Sequence, residues 1–218
     1  MTLGALRREL RQILRLASDE TDSAHDLGHA DRVWQNARDI AAGERLPPTE
    51  VLLAAAYLHD LVTLPKDHPE RSRSATLSAE AAGPLLESLG FEPSEIAATR
   101  HAIEAHSHSA GIEPLSPEAR ILRDADRLEA LGAIGIARCF AVSGALGRPL
   151  FDPDDPFASA RAPDDGRSAL DHFATKLMRL PEGFLTSTGR GLAERRVATM
   201  RLYLNSLAGE LGVAEPDW

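Results

Sequence analysis

Apolar residues recur along this chain every three or four positions, which is the spacing of α-helices, and no stretch shows the sustained alternation of a half-buried strand. Prolines, serines and glycines mark the beginnings and ends of these periodic stretches. The pattern therefore predicts an all-α chain. The predicted helices cover 2–17, a stretch from about 25 to 42, 48–60, 74–89 with a kink or break near Pro84, a stretch from 93, 116–140 with a bend at Gly132, 170–180 and 188–212.

One predicted helix contains the sequence LLAAAYLHD and is apolar on every side until it ends in His59 and Asp60. A helix that is apolar all round is a core helix, so these two polar residues are expected to be buried. An imidazole and a carboxylate are costly to bury unless they are paired or bind a cation. The stretch therefore indicates either a buried hydrogen-bonded pair or, as we favour, two metal ligands.

Further ligands must come from other helices, because two ligands from one helix end are too few. His29 is the best candidate, since it lies on an apolar stripe with Val33 and Ile40 and has no obvious local partner. An acid is expected as the fourth ligand, and the segment RDADRLEAL offers Asp124 and Asp126. Both lie about 90 to 110° from the centre of the apolar face, on opposite sides, so the helical wheel does not choose between them. Imidazole and carboxylate ligands without thiolates favour Mn, Fe, Co, Ni or Zn over Ca.

Length and composition narrow the class of protein further. With 218 residues, 43% of them hydrophobic and 26% charged, the chain suits one sizeable globular domain. A net charge of −9 disfavours nucleic-acid polymers and anionic membranes as partners and favours a small molecule. The single cysteine, Cys139, cannot form an internal disulfide, and the N-terminus has charges where a signal peptide has its apolar core. We therefore expect a cytoplasmic monomer or homodimer.

The candidate ligands together resemble the H…HD…D signature of the HD-domain superfamily of metal-dependent phosphohydrolases. His29, the pair His59 and Asp60, and an AD dipeptide ending in Asp126 match it. The segments LHDLVTLPKDHPERS, HAIEAHSHSAGIEP, RDADRLEALGAIGIARCF and DPDDPF resemble the stand-alone bacterial YedJ/YpgQ-like branch, over roughly residues 22–205. The resemblance implies one divalent cation, with Mn favoured and Mg, Fe, Co, Ni or Zn as alternatives. It also favours Asp126 over Asp124, which is then expected to be a solvated helix acid or a partner of the ligands.

Several basic residues are candidates for binding substrate phosphates. Lys66 follows the metal pair by six residues, and the family places a basic residue there, so we assign it to catalysis and substrate binding. Arg71 lies a little further along, and its alternative is a place in a solvated run of charges. Arg32 lies one turn after His29, and its alternative is a structural ion pair. His106 is predicted to contact the substrate or the ligands rather than serve as a core histidine, and His25 to face the same cleft. For His101 and His108, a surface or packing role is expected.

The predicted activity is hydrolysis of a small phosphorylated molecule, with a nucleotide favoured, and Asp60 and Lys66 are the predicted catalytic residues. The branch resemblance implies conversion of a nucleoside triphosphate to the monophosphate and pyrophosphate. A nucleotide monophosphatase or a cyclic-nucleotide phosphodiesterase would use the same ligands. Two alternatives come from other classes, namely a non-catalytic metal and nucleotide sensor and a diiron oxygenase. The latter needs more clustered ligands than the diverging His101 and His106 supply.

The expected organisation is one HD-type helical domain over 1–218, with a metal-site core at about 22–142 and C-terminal helices at about 170–212. Residues 144–167 are rich in proline, aspartate and glycine and are predicted to be irregular. Long irregular segments inside compact domains are often functional. This segment is therefore expected to act as a lid.

Overall fold

A computed structural model describes residues 1–17, 27–64 and 68–218. Within these ranges all regular structure is helical and no strand occurs, which confirms the predicted all-α class. The α-helices are α1 (Leu3–Ala17), α2 (Leu27–Gly43), α3 (Glu50–Leu58), α4 (Ser74–Ser88), α5 (Pro93–His106), α6 (Pro117–Arg127), α7 (Gly132–Ala145), α8 (Ala169–Thr175) and α9 (Ser187–Leu211). Short 3₁₀-helices cover Arg71–Arg73, His108–Ala110, Leu128–Ala130 and Leu177–Gly183. The chain divides into two compact units, Met1–Asp126 and Arg127–Trp218.

Helix α3 is the centre of the first unit and packs against α1, α2, α4 and α5. Its side chains from Leu52 to Leu58 are all buried, as its uniformly apolar sequence predicts. Thr49 caps its N-terminus, because the threonine side chain accepts a hydrogen bond from the backbone N–H of Leu52. The helix ends at Leu58, so His59 and Asp60 follow it directly.

A polar network joins α1, α2 and α3. The Tyr57 hydroxyl donates to Asp31, Arg7 donates to both Tyr57 and Asp31, and Arg11 also pairs with Asp31. Asp31 lies two residues after His29 on α2, and Tyr57 lies two residues before His59. The network therefore ties together the two segments that carry the candidate histidines.

In the second unit, α7 packs against α8 and α9. Residues 146–168 contain no helix or strand, which confirms the predicted irregular segment. Two charged residues anchor it, since Arg161 makes two hydrogen bonds to Asp171 at 2.5 and 2.9 Å. Asp171 also accepts hydrogen bonds from the Asp164 backbone and the Ser168 hydroxyl. The single-domain organisation and the role of 144–167 as a lid stay predictions.

Two predicted helices differ in detail from the structure. Helix α4 runs through Pro84 without interruption, so of the predicted kink or break at this proline, the break does not occur. Glu80, whose carbonyl loses its partner at Pro84, is exposed, so water can satisfy that oxygen. The predicted bend at Gly132 is confirmed, because Leu131 is extended and Gly132 has a φ of +70°. The turn is a full interruption, so the stretch predicted over 116–140 is two helices rather than one bent helix.

No single helix among the described residues is long and apolar enough to cross a membrane. In the described part of the chain, one broken and bent pair, Pro117–Ala130 with Gly132–Ala145, reaches the length and composition of a span when the two helices are taken together.

Candidate metal centre

His59 occupies the end of the buried helix α3 with a fixed ring orientation. Its side chain is almost fully buried, and its Nδ1–H donates to the backbone carbonyl of Ala56 at 3.0 Å. Because Nδ1 carries the proton in the neutral ring, Nε2 presents a lone pair. The local helix geometry thus prepares His59 as a ligand through Nε2.

Three further side chains converge on this nitrogen. His29 Nε2 lies 3.2 Å from His59 Nε2, and Asp60 Oδ2 lies 3.4 Å from His59 and 3.7 Å from His29. Asp126 Oδ1 lies 3.4 Å from His29 and 3.8 Å from His59. The structure therefore brings together all four residues that were predicted as metal ligands, from α2, the end of α3 and α6.

The spacing of these atoms fits a shared cation. Neighbouring ligand atoms around an ion with bonds of about 2.1 Å lie roughly 3.0 to 3.4 Å apart in octahedral or tetrahedral geometry. The five separations between 3.2 and 3.8 Å are close to this range. Two imidazole nitrogens and two carboxylates are also the donor set of a divalent transition ion. The cluster can hold a metal, and the arrangement does not identify which one.

The electrostatics of the cluster favour a positive charge. Burial alone would lower the pKa of His59, but the carboxylates of Asp60 and Asp126 outweigh it and raise that pKa to about 10. Burial would raise the pKa of Asp126, but hydrogen bonds from His29 and His59 hold it well below its ordinary value. In the absence of a metal, protons therefore supply the positive charge that the two carboxylates require.

His106 borders the same cluster at the end of α5. Its Nδ1–H donates to the Ile103 carbonyl at 2.6 Å, and its Nε2 lies 3.7 Å from Asp60 Oδ1. The His59 and His106 rings meet edge to face, with centroids 4.8 Å apart. Because Asp60 directs Oδ2 toward His29 and His59 but Oδ1 toward His106, its two oxygens face different neighbours. His59, Asp60 and His106 form a second group that can hold a metal, overlapping the first.

The structure shows fewer contacts for the other residues that are predicted to bind substrate. Arg71 is exposed and donates to the Leu64 carbonyl at 2.7 Å, which ties it to the segment after Asp60. Arg32 lies one turn after His29 on α2 and is partly exposed. His25 and Lys66 lie outside the described residues, so their predicted roles stay predictions.

His101 and His108, two further histidines of the α5 region, belong to neither group that can hold a metal among the described residues. His101 accepts a hydrogen bond from the Leu115 backbone N–H through Nε2 at 3.1 Å, which gives it a packing role. His108 is exposed. Both placements agree with the roles expected from the sequence.

The two aspartates of α6 are placed differently. Asp126 faces His29 and His59, whereas Asp124 is fully buried. Burial excludes the first of the two roles expected for Asp124, a solvated helix acid, and its role as a partner of the ligands stays a prediction. Asp126 is the more accessible of the two, since 32% of its side chain is exposed.

Two residues near the cluster were missed by the sequence analysis. The Asn36 side chain donates to the Ala125 carbonyl, next to Asp126, at 3.1 Å. Arg123 donates to the Ala105 carbonyl, next to His106, at 2.7 Å and to the Ile112 carbonyl at 2.6 Å. Asn36 had a visible signal, because it is a polar residue on the apolar stripe of α2. Arg123 had none, since an arginine on a helix is ordinarily solvated.

Comparisons with known proteins identify a family and several relatives of this chain. The HD domain family model matches residues 26–131. YpgQ of Bacillus subtilis (strain 168) is 32% identical over 200 residues, which cover 90% of this chain and 88% of the relative. The crystal structure of that protein in complex with ADP has a TM-score of 0.74 at 31% identity, over 96% of this chain and 97% of that chain. An HD-superfamily hydrolase from Bacillus thuringiensis has a TM-score of 0.75 at 28% identity, over 98% and 100%.

These matches define the class as an HD-superfamily hydrolase, a class that binds divalent metals. The chain belongs to the HD-domain family, in its YpgQ-like branch.

Proposed function

We propose that this protein is a metal-dependent phosphohydrolase that acts on a small phosphorylated molecule, namely a nucleotide. The observation that carries the proposal is the convergence of His29, His59, Asp60 and Asp126. Each carboxylate lies 3.4 to 3.8 Å from both histidine Nε2 atoms, which are 3.2 Å apart, and these separations suit one shared ion. When bound, a divalent cation supplies Lewis acidity for a phosphoryl oxygen and makes a water molecule acidic enough to attack at neutral pH.

The protein side chains have separate tasks in this proposal. His29, His59 and Asp126 hold the ion, and the Nδ1–H bond from His59 to Ala56 fixes the ring that does so. Asp60 is proposed to contribute Oδ2 to the ion, while Oδ1, which faces His106, accepts the proton of the attacking water. His106 is then placed to hydrogen-bond the substrate beside that water.

Cationic side chains supply the phosphate-binding part of the proposal. Arg71, which is tied to the Leu64 carbonyl four residues after Asp60, and Arg32, one turn after His29, are assigned to phosphate oxygens. Lys66 is assigned to the same task on sequence grounds and is proposed to spread the charge that develops during transfer. Positive side chains beside the metal would concentrate an anionic substrate in a protein whose net charge is −9.

The choice of a nucleotide rests on the relative. YpgQ of Bacillus subtilis has been crystallised with ADP, and it covers nearly the whole of this chain. The finer proposal is cleavage of a nucleoside triphosphate into the monophosphate and pyrophosphate. Pyrophosphate is a good leaving group, so this reaction does not require a dedicated general acid.

The test is a panel of nucleoside tri-, di- and monophosphates, cyclic nucleotides and simple phosphoesters, each assayed with Mn²⁺, Mg²⁺, Co²⁺ and Ni²⁺. Orthophosphate and pyrophosphate are measured separately, because their ratio tells which bond breaks. We expect pyrophosphate from at least one triphosphate, loss of activity in His59→Gln, and unchanged activity in His108→Gln, whose side chain is exposed. Tight metal and nucleotide binding without release of either product from any substrate would instead support a sensor.

A further inference from the structure

Asn36 is a buried amide on the helix that carries His29. Only 5% of its surface is exposed, and its Nδ2–H donates to the backbone carbonyl of Ala125 at 3.1 Å. Ala125 lies in the last turn of α6 and directly precedes Asp126. The hydrogen bond therefore joins α2 to α6 at the residue before a candidate ligand.

This contact restrains Asp126 through the peptide plane. The Ala125 carbonyl and the Asp126 nitrogen belong to one planar group, so fixing the oxygen limits the orientation of the Asp126 Cα–Cβ bond. The contact also lies in a helix end, where carbonyl groups lose helical partners and side chains often replace them. The Asn36 amide thus restrains the backbone that orients the Asp126 carboxylate.

The position of Asn36 on α2 couples two ligands. It lies seven residues after His29, two helical turns along the same face, which also carries the buried Val33, Ala37 and Ile40. Asparagine is a weaker helix former than alanine or leucine, and burying an amide is unfavourable unless it is hydrogen-bonded. Neither property favours asparagine at a position that only packs, and a leucine there would extend the stripe.

We propose that Asn36 is a positioning residue, which holds Asp126 at the correct distance from His29 so that both reach one cation. This inference rests on the proposed metal site. Partners that orient the ligands of metal sites typically change metal affinity by about 10- to 100-fold when they are removed. The same loss is expected here.

The experiment compares the Mn²⁺ dissociation constant and thermal stability of wild type, Asn36→Leu and Thr49→Ala. Leucine has a side chain of similar size to that of asparagine, but it has no hydrogen-bond donor. Thr49→Ala removes the cap at the far end of α3 and a hydrogen bond to Glu118, about two turns before Asp126 on α6. It destabilises the same unit while keeping the Asn36 contact to the Ala125 carbonyl. Asn36→Leu should weaken Mn²⁺ binding about 10- to 100-fold, and Thr49→Ala should leave it unchanged. If Asn36→Leu does not fold, Asn36→Ala, which cannot clash, carries the same comparison.

The absorption spectrum of the Co²⁺-loaded protein adds a readout that reports ligand geometry rather than stability. We expect its visible bands to change in the Asn36 variant and to stay constant in Thr49→Ala. Equal Mn²⁺ affinity and identical Co²⁺ spectra in wild type and the Asn36 variant would overturn the positioning role while leaving the metal site intact. Failure of the wild-type protein to bind any divalent ion would overturn the proposed metal site itself, and the inference with it.

Discussion

The Nε2 atoms of His29 and His59 lie 3.2 Å apart at the centre of the first unit. The His59 ring already donates through Nδ1 to Ala56, so in its neutral form its Nε2 offers only a lone pair. The Nε2 atoms of His29 and His59 can remain 3.2 Å apart when a proton or a cation lies between them. Asp60 and Asp126 approach the same pair, so the site is built around a positive charge.

The first prediction concerns the stability of the metal-free protein at different pH values. The pKa of His59 is about 10 in the folded protein, against roughly 6.5 for an unfolded histidine. Between these two pH values, the folded state therefore keeps a proton on His59 that the unfolded state has released. The stability that this proton provides is fully present below pH 6.5 and is lost as the pH rises through about 10. Melting temperatures measured in EDTA should fall across this interval.

Two controls accompany this measurement. His59→Gln should flatten the decline, because the titrating group is gone. Saturating Mn²⁺ should also remove it, because the ion replaces the proton. A melting temperature that is constant or rises between pH 6.5 and 10 in the metal-free wild type would show that the cluster does not hold this proton.

His106→Gln should separate substrate contact from metal binding. His106 Nε2 faces Asp60 Oδ1 rather than the side of Asp60 that meets His29 and His59. We expect kcat/KM to fall roughly 10- to 100-fold, the usual effect of losing a hydrogen bond to a charged group, with Mn²⁺ affinity retained. His108→Gln, on an exposed histidine, should change neither quantity. A parallel loss of metal from His106→Gln would make His106 a ligand.

Lys66→Met should impair turnover while sparing metal content, because a cation beside the metal neutralises phosphate oxygens. The expected decrease in kcat/KM is roughly 10- to 100-fold, the range of a charge-assisted contact. Arg73→Met is the matched control from the same basic segment, since Arg73 is exposed and pairs with Glu70. Unchanged kinetics in Lys66→Met would remove this residue from the site.

Asp171→Asn should destabilise the second unit. The Asp171 side chain is fully buried and holds Arg161 through two hydrogen bonds, so removing its charge leaves the guanidinium poorly compensated. The cost should be about 3 kcal/mol in urea unfolding, in the range for a broken buried pair. Asp165→Asn, whose half-exposed carboxylate pairs with His172, should cost less than about 1 kcal/mol. Equal costs would contradict the anchoring role of Asp171.

Periodicity was sufficient for much of the helical framework. The uniformly apolar run before His59 predicts the buried helix α3, and the stripe from His29 to Ile40 predicts which face of α2 is buried. Both predictions are confirmed because the residues that are apolar at helical spacing are also the residues that the tertiary structure buries. Pro84 shows the limit of such reasoning, since the propensity of one residue was outweighed by the packing of the rest of α4.

The choice of acid on α6 depended on tertiary placement. Asp124 and Asp126 are equivalent on a helical wheel, and only the position of α6 relative to α2 and α3 brings Asp126 within 3.4 Å of His29. The resemblance to a family favoured Asp126, but spacing could not. Arg123 was missed for the same reason, because its backbone acceptors at Ala105 and Ile112 belong to segments that are distant in sequence.

Metal content per chain tests the central claim most directly. Purified protein loaded with Mn²⁺ and dialysed should retain about one ion per chain by elemental analysis, as expected for a cage with four ligands. Asp126→Asn should retain none, whereas Asp39→Asn, an exposed aspartate elsewhere on α2, should behave like wild type. Wild-type protein that retains no divalent ion, or Asp126→Asn that retains as much as wild type, would contradict the account.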